Sequence, residues 1–319
     1  LFLRQTPRVS QAKGWRYKGM LEQIDQIIKV IDGAVWGLPL IILILFTGFL
    51  LTTRLGLLQI RHLGKALKFM FKNEEDGQGE VTSFGALCTA LSATIGTGNI
   101  TGVATALAAG GPGALFWMVI AAFFGMATKY AEGLLAIKYR TIDKDGHVLG
   151  GPFYYIENGM GQNWRWLGKI FAFFGAGVGL LGIGTFTQVN GITAAAGNFF
   201  DQNREHVINL FGNDYSIAVV VTGILLTICV ALVVLGGIQR IASVSSVIVP
   251  FMAVFYIIAC IAILVLNAAR IPAAFAEIIQ SAFGLRAAAG GALGAVLIAM
   301  QKGIARGIFS NEAGLGSAP

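Results

Sequence analysis

The sequence predicts an all-α, polytopic membrane protein, and three observations carry that prediction. Apolar residues make up 55% of the 319, charged residues 12%, and the mean hydropathy is +0.73. A soluble domain carries about 25% charged residues. The 43 glycines are about twice the usual share of ~7%, a surplus common in transmembrane helices. Charge-free runs occupy 34–53, 81–128, 170–200, 215–239, 241–269 and 287–301. A spanning helix needs about 20 mostly apolar residues, so most of these runs can cross a bilayer once, and 81–128 can cross twice. A soluble enzyme, a nucleic-acid binder and a secreted disulfide scaffold are excluded.

Taken in order, the first span covers about 34–53. A charged segment, 54–80, follows with Arg54, Arg61, Lys65, Lys68 and Lys72. The next run divides at Gly110-Gly111-Pro112-Gly113, a turn sequence, into spans 83–109 and 113–137. The connection after them holds Lys138, Arg140, Lys144, Arg165 and Lys169. Further spans are expected at 167–198, 216–238, 244–268 and from about 288 onward. This order puts both basic connections and Arg240 on one side, and Arg204, Arg270 and Arg286 on the other. Basic loops face the cytoplasm, so residue 34 begins outside and the N-terminus is extracellular. The formal charge of +7 is thereby explained by topology and calls for no nucleic-acid partner; the bilayer is the partner it implies.

Residues 1–18 conflict with that orientation, since Arg4, Arg8, Lys13, Arg16 and Lys18 would lie outside. Either this is a true basic tail, or Met20 is the start and 1–19 is a non-native or disordered extension to a transporter domain, 20–319. The chain ends at Pro319 inside its last membrane segment, and the expectation is a fragment.

Two spans are interrupted. The first contains Ser92-Ala93-Thr94-Ile95-Gly96-Thr97-Gly98-Asn99-Ile100-Thr101-Gly102. Glycine and asparagine are poor helix formers and free backbone groups at mid-membrane depth, where loose backbone is tolerated only inside protein or along a cavity. Such breaks hold carboxylates and cations in transporters. The alternative is close packing, because Gly98 and Gly102 form a GxxxG pair. The second interruption reads Arg306-Gly307-Ile308-Phe309-Ser310-Asn311-Glu312-Ala313-Gly314-Leu315-Gly316-Ser317. Lys302, Arg306 and Glu312 are costly at membrane depth and need partners or water. Arg306 and Glu312 are candidates for gating or structural charge.

A third polar patch is Thr185-Phe186-Thr187-Gln188-Val189-Asn190. The Gln188 amide offers an oxygen and an NH2 together, which suits a zwitterion or, equally, a neighbouring helix. The glycines at 175, 177, 179, 182 and 184 read as a close-packing face. Cys88, Cys229 and Cys260 all lie in apolar runs without metal-type spacing and read as packing residues. His62, His147 and His206 sit in predicted loops or at ends, with no HExxH or GxSxG frame, so a membrane-embedded enzyme is disfavoured. A channel would want repeated filter motifs or charged rings.

The stretches 94–105, 110–117 and 305–319 resemble the alanine/glycine:cation symporter family of sodium-coupled amino-acid carriers, and the similarity runs from about Leu21 to Pro319. Thr101 departs from the alanine expected in most members. The resemblance implies a LeuT-type fold of two inverted five-helix repeats behind one extra helix. The chain would then end after the first repeat plus the first helix of the second. It also implies sodium-coupled symport of alanine or glycine into the cell across the plasma membrane, with sodium as coupling ion and no cofactor. Carried over by position, Gly96, Thr97, Gly98 and Asn99 would hold the substrate carboxylate with backbone amides. Gln188, Phe309, Ser310 and Gly314 would complete the substrate site, with Phe309 closing over it. The Ser92 and Ile95 carbonyls would face sodium, with Thr94 as a further candidate. Sodium against proton coupling, and glycine against D- or L-alanine, stay open.

Overall fold

The computed structural model describes residues 9–72, 79–182, 184–203, 205–210, 212–284 and 291–317, with side chains from residue 22 onward except 292 and 293. Arg204, Arg286, the first residues of the expected last span and Pro319 lie outside the described residues. The chain is helical almost throughout. Among the described residues, two small sheets form antiparallel hairpins in the connections, β1 (Thr141–Ile142) with β2 (Val148–Leu149) and β3 (Val207–Leu210) with β4 (Asn213–Ser216).

A helix α1 (Val9–Val35) begins within the stretch 1–19 and leads into the first span, α2 (Leu38–Arg54). Pro39 at the start of α2 is well placed, because the first turn needs no amide donor there. Two short helices, α3 (Leu58–Arg61) and α4 (Leu63–Phe71), follow in the basic connection. The expected span 83–109 is two half-helices, α5 (Ser83–Thr94) and α6 (Thr101–Gly110), separated by residues 95–100 with a single 3-10 turn at Thr97–Asn99. Gly111, at φ +72°, makes the turn into α7 (Gly113–Lys138).

After α8 (Pro152–Met160), the span expected at 167–198 is broken. α9 (Arg165–Leu180) and α10 (Thr185–Phe200) meet at a turn where Gly182 (φ +61°) and Gly184 (φ +89°) adopt left-handed backbone. The glycine face expected here is not packed among the described residues: a Cβ on Gly175, Gly177 or Gly179 would meet nothing within 4 Å. Gly182 and Gly184 bend the span, and Gly182 also lies close against the Phe186 ring. α11 (Ile217–Val234) and α12 (Gly237–Leu266) match the next two expected spans within a few residues at most ends, although α12 starts earlier. An amphipathic helix that the sequence pattern does not predict, α13 (Ile271–Ala282), precedes the last helix, α14 (Ala292–Asn311). Among the described residues, five helical stretches are long and apolar enough to cross a membrane: Glu22–Arg54, Gly113–Lys138, Gln162–Phe200, Ile217–Val234 and Gly237–Leu266.

The packed centre is the contact of α14 with α7, flanked by α2 and α6. Gly303 and Gly307 make it possible. A Cβ at Gly303 would collide with the Ala114 carbonyl oxygen, and one at Gly307 would press on Met118 and Ala121. In a bilayer this close approach, rather than exclusion of water, drives helix association. Ile41, Ala121, Ile304 and Ile308 fill the seam. The pairings advance together along both helices (Gly303 on Ala114, Gly307 on Met118, Asn311 on Gly125), so α14 runs parallel to α7. Both therefore start at the end where Trp117 Nε1 donates to the Ala282 carbonyl and finish toward the end where Glu80 Oε1 accepts from the Val148 N–H. Of the three free cysteines only Cys88 is buried; Cys229 is exposed.

Candidate functional site

The first interruption reaches α14 through Asn99 and Ser310, and the next residue of α14, Asn311, lies against Gly125 in the middle of α7. α5 ends at Ile95, whose N–H still bonds the Leu91 carbonyl. The next two amides turn away from the helix. Gly96 N–H donates to Asn99 Oδ1 at 3.0 Å, and Thr97 N–H donates to Gln188 Oε1 at 2.9 Å. The Ser92 and Ala93 carbonyls thereby lose the donors that helix continuation would give them. The end of α5 thus presents loose carbonyls, and the break beyond it presents amides.

Gln188 comes from α10, on the far side of the break. Its Oε1 also accepts from Thr97 Oγ1, at 3.0 Å. The approach is close enough that a Cβ on Gly96 would collide with Gln188 Nε2, and one on Gly191 would fall 2.8 Å from Thr97 Cγ2. Asn99 works in two directions, since its Nδ2 donates to Ser310 Oγ on α14 at 2.7 Å. Gly96, Thr97, Asn99, Gln188 and Ser310 are therefore one hydrogen-bonded cluster. Gly98 lies at its open side: a Cβ there, or on Gly102, would meet nothing within 4 Å. A Cβ on either glycine of the GxxxG pair would meet no neighbour within 4 Å, although Gly102 itself is buried, so the pair is not a close-contact seam.

The second break begins later than the sequence suggests. Arg306 to Asn311 remain helical in α14, and the chain departs only at Glu312, in left-handed conformation at φ +53°, followed by Gly314 at +86° and Gly316 at +67°. Asn311 Oδ1 accepts from the Ala313 N–H, and Glu312 Oε2 accepts from Ser317 Oγ at 2.7 Å. Gly314 and Gly316 both donate to Glu132 Oε1, at 3.1 and 3.3 Å. Gly314 is thus held by α7 and not by the cluster at the first break. Successive amides in mixed right- and left-handed backbone form an anion-binding concavity, and here a carboxylate of this chain fills it.

Glu132 is not among the site residues expected from the sequence. A signal for it exists: Lys129 and Glu132 are an ionisable pair inside the expected span 113–137, and such groups are functional candidates by default. Lys129 Nζ stands 3.6 Å from Glu132 Oε2, and both atoms are buried without a hydrogen-bond partner among the described residues. Tyr155 of α8 is near enough to respond. Burial, and then the Glu132 charge, pushes its phenol above the ordinary value.

Phe309 packs on Trp36 ahead of α2, with ring centroids 5.7 Å apart, on a different face of α14 from Ser310. It lines a cavity of about 340 Å³ with Asp32, Thr105, Lys302 and Arg306. Lys302 and Arg306 line that cavity together with Asp32, which places a carboxylate on the same side as the two charges. Among the proposed cation ligands, the Ser92 hydroxyl donates to the Thr89 carbonyl and the Thr94 hydroxyl to that of Ala90, which leaves carbonyls, not hydroxyl hydrogens, facing the break.

A model described as the Sodium:alanine symporter family matches residues 21–319. An uncharacterized transporter of Haemophilus influenzae is 55% identical over 297 residues, covering 93% of this chain and 61% of that protein. The sodium/alanine symporter AgcS of Methanococcus maripaludis is 48% identical over 297 residues, with 92% and 61% covered. A probable sodium/glutamine symporter of Bacillus subtilis, GlnT, is 36% identical over 302 residues, with 94% and 58% covered. The chain thus spans about three-fifths of the length of the relatives it matches.

Proposed function

The chain belongs to the sodium:alanine symporter family, a family of transporters and not of enzymes, and from that premise we propose that the protein carries small neutral amino acids into the cell by sodium-coupled symport. The proposed architecture is LeuT-type: α5 to α12 form one repeat, α14 opens its inverted mate, and α1–α2 precede both. The protein sits in the plasma membrane with residue 34 beginning outside.

One observation carries the site. Thr97 offers its N–H and its hydroxyl to a single neutral oxygen, Gln188 Oε1. A substrate carboxylate presents the same acceptor with a full charge. Charged hydrogen bonds are roughly twice as strong as neutral ones, so exchange of Gln188 Oε1 for substrate is favourable. The displaced Gln188 amide stays beside the same amino acid. Gly98, with open space on its side of the break, supplies room for the ligand. Sodium binds next to this carboxylate at the loosened Ser92 and Ile95 carbonyls, with Thr94 adjacent, so that each charge lowers the cost of the other. Ser310 and Asn99 tie α14 to the event, and Phe309 lies on the outer side with Arg306.

The test is counterflow of labelled alanine into proteoliposomes holding the full-length protein. Accumulation with sodium, and none when potassium replaces it, is expected. Equal uptake in both, or uptake driven only by a proton gradient, would remove the sodium reading.

A further inference from the structure

We infer that Glu132 is a positioning residue for transport: its carboxylate fastens the non-helical turn 312–317 to α7 and thereby sets where Ser310 stands against the first break. This rests on the transport reading for its uptake consequence only; the clamp itself rests on geometry.

The turn leaves two amides in need of acceptors. Gly316 is buried, and an unpartnered N–H away from water is costly. Gly314 and Gly316 point at one oxygen of a side chain from another helix, 182 and 184 residues earlier in the chain. That side chain is the only carboxylate bonded to either amide among the described residues. Lys129, one turn back on α7, supplies the opposing charge at 3.6 Å. The turn has no slack between this clamp and the cluster. Glu312 caps α14 with its N–H on the Ile308 carbonyl, and Ser310 lies two residues before it, bonded to Asn99. Movement of the turn therefore moves Ser310. An anion already in the concavity also bars a second one: a substrate carboxylate at Gly314 would meet the Glu132 charge at contact distance, a repulsion strong in a medium of low dielectric.

Three substitutions in the full-length protein separate reach from charge. Glu132→Gln keeps an oxygen at the same reach without the charge. Glu132→Asp keeps the charge one methylene short. Glu132→Ala removes both. Amide exchange of the 312–317 peptide reads the clamp directly, and sodium-driven alanine uptake reads its consequence. Exchange in Glu132→Gln should stay within about threefold of the unmodified protein and uptake should be largely kept. Glu132→Asp and Glu132→Ala should exchange about tenfold faster or more, and lose uptake by a similar factor. Should Glu132→Ala fail to fold, the comparison of Gln with Asp decides alone. Unchanged exchange in folded Glu132→Ala, or an active Asp variant beside an inactive Gln variant, overturns the inference. If the unmodified protein shows no sodium-driven uptake while exchange follows the expected order, the transport reading falls and the clamp stands.

Discussion

The two breaks are built from the same materials, glycines and small polar residues, yet they are held in opposite ways. At the first, the freed amides of Gly96 and Thr97 rest on neutral side-chain oxygens, Asn99 Oδ1 and Gln188 Oε1. At the second, the amides of Gly314 and Gly316 rest on a carboxylate. A neutral acceptor can be replaced by a charged ligand with net gain, whereas an acceptor that is already charged cannot. The difference assigns the breaks distinct tasks. On the proposed reading the first is exchangeable and receives the anionic group of the substrate, and the second stays occupied and fixes its own helix. The two breaks share the same residue types, so similar sequence alone does not mark which break binds.

Substitutions at the glycines should break this comparison open. The largest effect is expected at Gly98→Val. No atom lies within 4 Å of an added Cβ, so the first carbon of the new side chain meets no clash. Alanine affinity should nonetheless fall about 100-fold or more, roughly 2.7 kcal/mol, because the side chain fills the ligand's space. Isothermal titration together with a melting curve checks both halves, and normal binding by folded protein would vacate the site.

Gly314→Ala should do the reverse. The added methyl meets nothing closer than 3.7 Å, but the residue sits at φ +86°, and left-handed backbone costs an L-residue about 1–2 kcal/mol. The melting temperature should drop while alanine affinity changes by less than about threefold. A variant that melts normally yet binds poorly would place substrate at the second break instead.

A smaller effect is expected at Ser310→Ala, which severs the bond from Asn99 between the breaks. The loss should be about 0.5–1.5 kcal/mol in alanine affinity, measured by the same titration, and abolition by Asn99→Ala but not by Ser310→Ala would show that Asn99 acts only within its own break. The least effect on either break should come from acidification. Asp201, at the end of α10, accepts from the Ser216 hydroxyl at 2.5 Å, and that bond first of all holds its carboxyl below the ordinary aspartate value. A depressed value in the folded state means the contribution is present above about pH 3.9, the unfolded value, and is lost as pH falls through the folded one. Amide protection of the β3–β4 hairpin should therefore persist at pH 5 and vanish only under strongly acid conditions; loss near neutrality would contradict the assignment.

Much of this is legible in the sequence. Hydropathy places five of the expected spans, the 110–113 turn and both breaks, because glycines and small polar residues inside an apolar run weaken the helix just where water cannot replace its hydrogen bonds. Gln188 stands out for a related reason, as an amide in a span. What escapes is set by pairing across the fold. Nothing local says that Thr97 meets Gln188 rather than another helix, or that Phe309 turns to Trp36 while Ser310, one residue on, turns to Asn99. Gly182 and Gly184 read as packing because composition cannot distinguish a glycine that admits a neighbour from one that turns the chain. α13 is hidden because Glu277 interrupts its apolar residues, Arg270 precedes it and it is too short to span. Glu132 is visible as an ionisable residue in a span, but it lies near a basic loop and its partners are amides, which no sequence pattern announces.

The central claim is that Gln188 holds Thr97 with an oxygen that substrate replaces. Gln188→Glu tests it most directly, since it gives the first break the kind of acceptor the second already has. At neutral pH the variant should fold normally and lose alanine binding by about tenfold or more, read by titration calorimetry on the full-length protein in sodium. Binding of alanine by Gln188→Glu with the affinity of the unmodified protein would contradict the account.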